Sequence, residues 1–197
     1  MTTNERIALL FAQNNGILKT AKALESGISK AAFYAYTKKH GTERVAQGVY
    51  LSPDAWTDTI YLLHLRCDQA VFSHESALFF HDLTDREPNP YSVTVKTGYN
   101  PTGLREEGIK VYTIKKELHG VGVITMNTPF GNPVLVYDAE RTICDVIRNR
   151  NGIEMQIWQN ALRQYAKRRD KDLRKLMHYA QMFHVEKLLR QYLEVLL

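Results

Sequence analysis

The chain has 197 residues, of which 44% are hydrophobic and 24% are charged, and its formal net charge is +5. These are ordinary values for a globular protein, and a chain of this length can bury a real core in one domain or in two modest ones. No apolar run reaches the ~20 residues that a membrane helix needs, and the start MTTNERIALL lacks the pattern of a signal peptide. We therefore expect a cytoplasmic protein without a membrane partner.

The charge is unevenly placed along the chain. Residues 1–52 carry seven Lys or Arg against three Asp or Glu, and residues 148–197 carry eleven against five. Residues 53–147 carry eight against thirteen, so an acidic centre lies between two basic ends. A basic N-terminal region fits a polyanionic partner, because neutralising phosphates releases counterions. The acidic centre argues against a surface that binds nucleic acid throughout.

The N-terminal region begins with two short helices. A helix over residues 4–14 places Ile7 and Phe11 on one apolar side and ends at Asn14-Asn15-Gly16. The segment KTAKALES follows, with apolar Ala21 and Leu24 three residues apart. We expect these two helices to contribute to one small core.

A third helix and a hairpin complete this region. Gly27 can take the left-handed backbone of a sharp turn between helices, and Ser29 is a good N-cap for the helix SKAAFYAYTKK. Phe33 and Tyr36 of that helix would face the core. The stretch TERVAQGVYL then reads as two short strands joined around Gln47-Gly48, which is a hairpin wing.

This order predicts a winged helix-turn-helix domain over residues 1–52 that binds DNA. A recognition helix directs its N-terminal residues at base edges, while nearby cations and amides bind phosphates. The candidates for the groove are Ser29, Lys30 and Tyr34, those for the phosphate backbone are Lys19, Lys38 and Arg44, and Thr20 and Gln47 lie beside them. A protein-docking module with a solvated lysine face is the alternative interpretation.

The second predicted domain, residues 53–197, begins after Ser52-Pro53-Asp54. Ser52 or Asp54 can cap a helix from Ala55 to about Cys67, in which Asp58 lies opposite the buried side. Cys67 and Cys144 have no His or Cys at metal-ligand spacing. Both are expected to be buried thiols in a reducing compartment.

The next stretch, SHESALFFHDL over residues 73–83, is rich in polar side chains. Val71 and Phe72 predict a short strand, Ser73 an N-cap, and residues 75–81 a helix. His74 and His81 are two helical turns apart, about 10 Å along the axis, which is too far to share one zinc ion. Capping and surface hydrogen bonds are the favoured interpretation, with no metal or cofactor site.

Four further strands predict a small antiparallel or mixed sheet packed against helices. The stretch YSVTVK alternates apolar and polar residues, as a half-buried strand does, and IKVYTIKK repeats the pattern. Strands over residues 121–126 and 134–137 follow, separated by a turn. No Rossmann or P-loop glycine pattern is present, so a nucleotide cofactor is not expected.

The C-terminal part predicts helices throughout. Asp138 is a good N-cap, and Arg141 and Asp145 stand four apart on the next helix, where opposite charges attract weakly. Three amphipathic helices over residues 153–167, 170–182 and 185–196 form a bundle. The basic block KRRDKDLRK, residues 167–175, is either a solvated face or a second phosphate contact. The expected fold class is α+β.

Four stretches resemble the AbiEi-type antitoxins, the regulators of abortive-infection (type IV) toxin-antitoxin operons. They are GILKTAKALESGISKAAFYAYTKKHGTERVAQGVYL at residues 16–51, SHESALFFHDL at 73–83, GNPVLVYDAERTICDVIR at 131–148, and the chain from Ala161 to its end. The resemblance implies a transcriptional autorepressor that binds inverted repeats in double-stranded operator DNA. It also implies an antitoxin that counters a nucleotidyltransferase-like toxin in phage defence, without a stable complex between the two proteins.

An enzyme is the remaining alternative. A metal-dependent nuclease or nucleotide-processing enzyme would use His74, Glu75, Asp138, Glu140 and Asp145. These side chains belong to separate predicted elements, so only the fold decides whether they converge. We expect no catalytic residues.

Overall fold

The structure, a computed structural model, describes residues 1–196, with side chains as far as Glu194. It is an α+β protein with two small sheets. By contacts the chain divides into two units. The first comprises Met1–Asp68 with Asn127–Val134, and the second comprises Gln69–Met126 with the chain from Leu135 onward. The side chain of Leu196, predicted on the last apolar stripe, and residue 197 lie outside the described part.

The first unit contains the three predicted N-terminal helices. Its elements are α1 (Thr3–Gln13), β1 (Ile17–Lys19), α2 (Thr20–Glu25), α3 (Lys30–Lys39), β2 (Glu43–Ala46), β3 (Val49–Leu51) and α4 (Thr59–Arg66). Ile7, Phe11 and Phe33 are buried in one core, as predicted. The predicted face of α2 is wrong, since Ala23 is fully buried while Leu24 is 42% exposed.

The strands of this unit form one antiparallel sheet in the order β1-β3-β2. The predicted hairpin is therefore present, and β1 adds a third strand that the sequence pattern did not predict. A three-residue strand is too short to show an alternation of apolar and polar residues. Gly48, at the β2–β3 turn, has a φ of +70°, a backbone conformation that glycine adopts without strain.

The prediction for α4 is wrong at its start. The helix begins at Thr59, and Asp58 caps it by accepting a 2.9 Å hydrogen bond from the Tyr61 N–H. Asp58 was expected on the exposed side but is 1% exposed. Its second carboxylate oxygen accepts hydrogen bonds from Thr128 Oγ1 at 2.5 Å and from Asn132 Nδ2 at 2.8 Å. These partners are distant in sequence, so local pattern does not predict them.

The second sheet has the strand order β6-β5-β4-β8-β7. Its strands are β4 (Val71–Phe72), β5 (Ser92–Lys96), β6 (Lys110–Ile114), β7 (Val123–Asn127) and β8 (Pro133–Tyr137). β5 runs parallel to β6 and antiparallel to β4, and β4 runs parallel to β8. The sheet is therefore mixed, one of the two predicted possibilities.

Helices alternate with these strands along the sequence and also follow them. They are α5 (His74–Phe80), α6 (Thr102–Glu106), α7 (Lys116–His119), α8 (Ala139–Arg148), α9 (Met155–Lys167), α10 (Leu173–Met182) and α11 (Glu186–Leu196), with a short 3-10 helix at Arg150–Gly152. All residues of α8 except the last are buried. Its neighbours α9, α10 and α11 contribute their predicted apolar stripes, including Leu162, Leu176 and Leu189, to the same core.

β5 is buried on both faces, although its alternation predicted a half-buried strand. Ser92 is fully buried and Thr94 is 2% exposed. The polar face meets the start of α5, where Ser92 Oγ donates to the Ser73 carbonyl at 2.6 Å. Ser92 Oγ also accepts from the Ser76 N–H at 3.0 Å. Polar residues are tolerated in this interior because they bond to each other.

Candidate nucleic-acid interface

The exposed side of α3 carries two lysines and one tyrosine at four-residue spacing. Lys30, Tyr34 and Lys38 are all exposed, and Ser29 caps the helix by accepting a 3.2 Å bond from the Ala32 N–H. The Lys30 ammonium lies 5.9 Å from the centre of the Tyr34 ring. Residues four apart on a helix share one face, so these three side chains form a single cationic strip.

The β2–β3 hairpin lies beside this strip. Arg44 and Gln47 are exposed. Arg44 is paired across the ladder with Tyr50, so their side chains project from the same face of the sheet. The Tyr50 ring is 6.2 Å from the Tyr34 ring, centre to centre, which places Arg44 on the side of the hairpin that meets α3.

Lys19 and Thr20 lie where β1 passes into α2. Lys19 is partly buried and occupies the N-cap position of α2. The Thr20 N–H donates to the Gly48 carbonyl at 2.8 Å, which ties the start of α2 to the hairpin turn. The Thr20 hydroxyl is buried and has no hydrogen-bond partner among the described residues. The geometry therefore gives Thr20 a role in holding the hairpin.

The charge of this surface is uncompensated. Within residues 1–196, no carboxylate lies within 4.0 Å of the cationic groups of Lys30, Lys38 or Arg44. Unpaired exposed cations on one helix and one hairpin are what a phosphate backbone requires. Tyr50, which joins the hairpin to α3, is not among the residues that the sequence pattern predicted for this surface. Its position in a strand directly after the Gln47-Gly48 turn was the available signal.

The polar cluster at α5 lies inside the second unit, so the expectation of capping and surface hydrogen bonds is wrong. Ser73 is fully buried, and its hydroxyl does not cap α5. Instead it accepts from Thr94 Oγ1 at 2.8 Å and lies 3.0 Å from His74 Nδ1. His74 is 1% exposed and stacks on Tyr112, with 3.4 Å between ring centres.

Both ring nitrogens of His74 are engaged. The Asn149 amide donates to His74 Nε2 at 2.9 Å, since an amide nitrogen is a donor only. The proton of the neutral ring is therefore on Nδ1, where it is donated to Ser73 Oγ. Burial, reinforced by the charges of Arg148, Lys110 and Arg141, holds the pKa of His74 well below its ordinary value. A histidine so engaged has no free lone pair for acid-base work.

The carboxylates at the start of α8 are likewise engaged. Asp138 caps α8 through the Arg141 N–H at 2.8 Å, as predicted. Lys175 lies 2.9 Å from Asp138 Oδ2 and 3.1 Å from Glu140 Oε2. Although burial opposes it, hydrogen bonds to these two carboxylates raise the pKa of Lys175 above its ordinary value.

Arg141 and Asp145 form a buried pair, where the sequence predicted a weak surface pair. Their side chains are 0% and 1% exposed, and Arg141 Nε donates to Asp145 Oδ2 at 2.8 Å. The guanidinium packs against the rings of Tyr137 and Phe183, at 4.2 and 3.9 Å from the ring centres. Removing both charges from water costs free energy, and burial raises the pKa of Asp145 even though Arg141 beside it lowers that pKa.

Some of the cationic side chains in the basic block, residues 167–175, are already bound to groups of the protein. Arg168 donates two hydrogen bonds to Asp170, at 2.9 and 2.7 Å, and one to the His81 carbonyl at 2.7 Å. Lys175 belongs to the α8 cluster.

No group of three or more His, Cys, Asp or Glu side chains that could hold a metal ion occurs among the described residues. In the same part of the chain, no helix is both long and apolar enough to cross a membrane.

Comparison with known proteins adds a likeness of fold. The sequence matches no protein-family model and no curated protein. The structure is similar to the crystal structure of the RV2827C protein from Mycobacterium tuberculosis, with a TM-score of 0.59 and 12% sequence identity. The match covers 92% of this chain and 72% of that one. At this identity the likeness concerns the fold alone.

Proposed function

We propose that the protein is a DNA-binding autorepressor and an antitoxin of the AbiEi type. In this proposal the first unit binds double-stranded operator DNA through a winged helix-turn-helix, with α3 as the recognition helix. The observation that carries it is the unpaired cationic strip of Lys30, Tyr34 and Lys38 beside the hairpin residue Arg44. The element order helix, strand, helix, helix, hairpin also supports a winged helix.

The antitoxin part rests on the resemblance in sequence. The protein would recognise inverted repeats in its own promoter and counter a nucleotidyltransferase-like toxin without forming a stable complex. The C-terminal residues would carry the antitoxin activity. The engaged state of His74, Asp138, Glu140 and Asp145 is consistent with a role that needs no catalytic residue.

A binding experiment on the promoter fragment tests the DNA-binding part. The change Lys30→Ala with Tyr34→Ala should abolish discrimination between operator and unrelated duplex, with a loss of about tenfold or more in operator affinity. Fluorescence anisotropy measures the affinity, and circular dichroism checks the fold. Arg44→Gln should weaken binding to all sequences alike and reduce the salt slope by about 1, because it removes one phosphate contact.

The control is Lys116→Ala, an exposed lysine of the second unit. It should leave operator affinity within about twofold, since one exposed charge outside the proposed DNA-binding residues contributes little. Normal operator binding by the folded double variant would contradict the assignment of α3. Co-expression with the adjacent toxin gene tests the second part, because the double variant should still restore growth.

A further inference from the structure

A cleft in the second unit lies at the carboxyl ends of the parallel strands β5 and β6. One lobe, of about 350 Å³, is lined by Thr97, Thr113 and Lys115 together with Arg148 and His184. The carboxyl ends of parallel strands are where α/β sheets commonly bind ligands. Nothing in the DNA-binding proposal uses this region.

A second lobe adjoins the first. It has a volume of about 400 Å³ and is lined by Arg150 and Lys187, and again by Arg148 and His184. The two lobes share the latter two residues, so they are neighbours, and together they are called the cleft here. Each volume lies within the range of small-molecule sites, about 300–1,000 Å³.

The lining of this cleft is partly apolar and contains Lys and Arg but no carboxylate. Neither lobe is lined by an Asp or a Glu. The carboxylate that lies closest to Arg148 is Asp145, at 3.7 Å, and it is already bound to Arg141 at 2.8 Å. Lys115 and Lys187 form no ion pair within residues 1–196. An anion entering the cleft would therefore meet charge that the protein itself leaves unbalanced.

Parts of the cleft are held in place before any ligand binds. Thr97 Oγ1 donates to the Ile114 carbonyl at 3.0 Å, and the Arg150 guanidinium donates to the Ile147 carbonyl at 3.3 Å. The Arg148 guanidinium lies 5.7 Å from the centre of the Phe183 ring. Groups that are already ordered lose less entropy on binding.

We propose that this cleft binds a small polyphosphate ligand, a molecule that carries a chain of phosphate groups. Two lobes with cations in each, joined by Arg148 and His184, fit a chain of phosphates better than a single anion. Arginine and lysine are the side chains that bind phosphate oxygens, arginine by bidentate hydrogen bonds. This site shares no residue with the strip on α3, so it stands or fails independently of operator binding.

Isothermal titration calorimetry of the full chain with ATP tests the proposal. ATP and tripolyphosphate should both bind, adenosine should not, and affinity should fall as salt rises from about 50 to about 200 mM. The double variant Arg150→Gln with Lys187→Gln should weaken ATP binding at least about tenfold, and Lys115→Gln should weaken it separately. Thermal melting verifies that each variant is folded.

The matched control removes two exposed cations elsewhere, Arg105→Gln with Arg163→Gln. It makes the same change in net charge and should alter ATP affinity by less than about twofold. An equal loss of ATP affinity in both double variants would show that the effect is one of diffuse electrostatics, and this outcome would overturn the proposal. The proposal is also overturned if ATP gives no binding, or if Arg150→Gln with Lys187→Gln weakens duplex DNA binding while ATP fails to bind.

Discussion

His74 shows how one buried residue makes stability depend on pH. Burial lowers its pKa from the ordinary value of 6.5, so the folded protein keeps the ring neutral where the unfolded chain takes up a proton. The contribution of neutral His74 to the free energy of unfolding is therefore fully present above about pH 6.5, and it is lost progressively as the pH decreases below that value. The slope approaches about 1.4 kcal/mol per pH unit for one such histidine. His81 and His64, whose pKa values burial also lowers, act in the same direction.

Urea unfolding at about pH 7.5 and about pH 5.5 measures this dependence. We expect His74→Asn to be less stable than the parent at both values but to lose about 1 kcal/mol less between them. Asparagine suits the left-handed backbone here, where φ is +49°. The exposed His178→Asn serves as control and should keep the dependence of the parent. An identical pH dependence in His74→Asn and the parent would refute a neutral His74.

Between α1 and β1, a glycine allows two backbone segments to approach each other. Gly16 has a φ of +77°, and a Cβ built on it would lie 2.2 Å from the Ala55 Cβ. The Ser52 N–H also donates to the Gly16 carbonyl at 2.8 Å, so the two segments cannot easily separate. Gly16→Ala should therefore lower the free energy of unfolding by about 2 kcal/mol or more.

Gly103→Ala, a substitution inside a helix, is the matched control for Gly16→Ala. Nothing lies within 4 Å of a Cβ built on Gly103, and the residue belongs to α6. Alanine is favoured over glycine inside a helix by about 0.5–1 kcal/mol, so this variant should be as stable as the parent or slightly more so. Thermal and urea melts compare the two variants. Equal stabilities would mean that the segment around Ala55 moves aside without cost.

At the scale of the whole molecule, the first unit is not one continuous piece of chain. It combines Met1–Asp68 with Asn127–Val134, and the second segment supplies the Thr128 and Asn132 partners of buried Asp58. A fragment of residues 1–68 lacks both partners and leaves that carboxylate with only its capping bond. Losing them should cost the fragment at least about 2 kcal/mol.

The fragment test compares residues 1–68 with the full chain by urea unfolding, monitored in the N-terminal helices by hydrogen exchange. We expect weaker protection of α1 and α3 in the fragment. Full-length Asp58→Ala provides the parallel measurement, because it removes the same hydrogen bonds and the helix cap while keeping residues 127–134. Protection equal to that of the full chain would show that the segment 127–134 does not stabilise this unit.

Interactions confined to a few residues were readable from the sequence. The caps at Ser29 and Asp138, the turn at Gly27 and the apolar stripes of α9 to α11 are where their patterns predicted them. Each depends on neighbours within about one or two helical turns, which the sequence itself places. The eight predicted DNA-binding residues come from the same kind of pattern, and all but Lys19 and Thr20 are exposed.

The tertiary structure decided the rest, because the fate of a polar side chain depends on partners far along the chain. Asp58 is buried by residues 70 and 74 positions away, and His74 meets Asn149 at a separation of 75. Arg141 is a core residue because it packs against the rings of Tyr137 and Phe183. Periodicity gives the side of a helix on which a residue lies. Only the packed fold supplies the hydrogen-bond partner that offsets the free-energy cost of burying a charge or a hydroxyl.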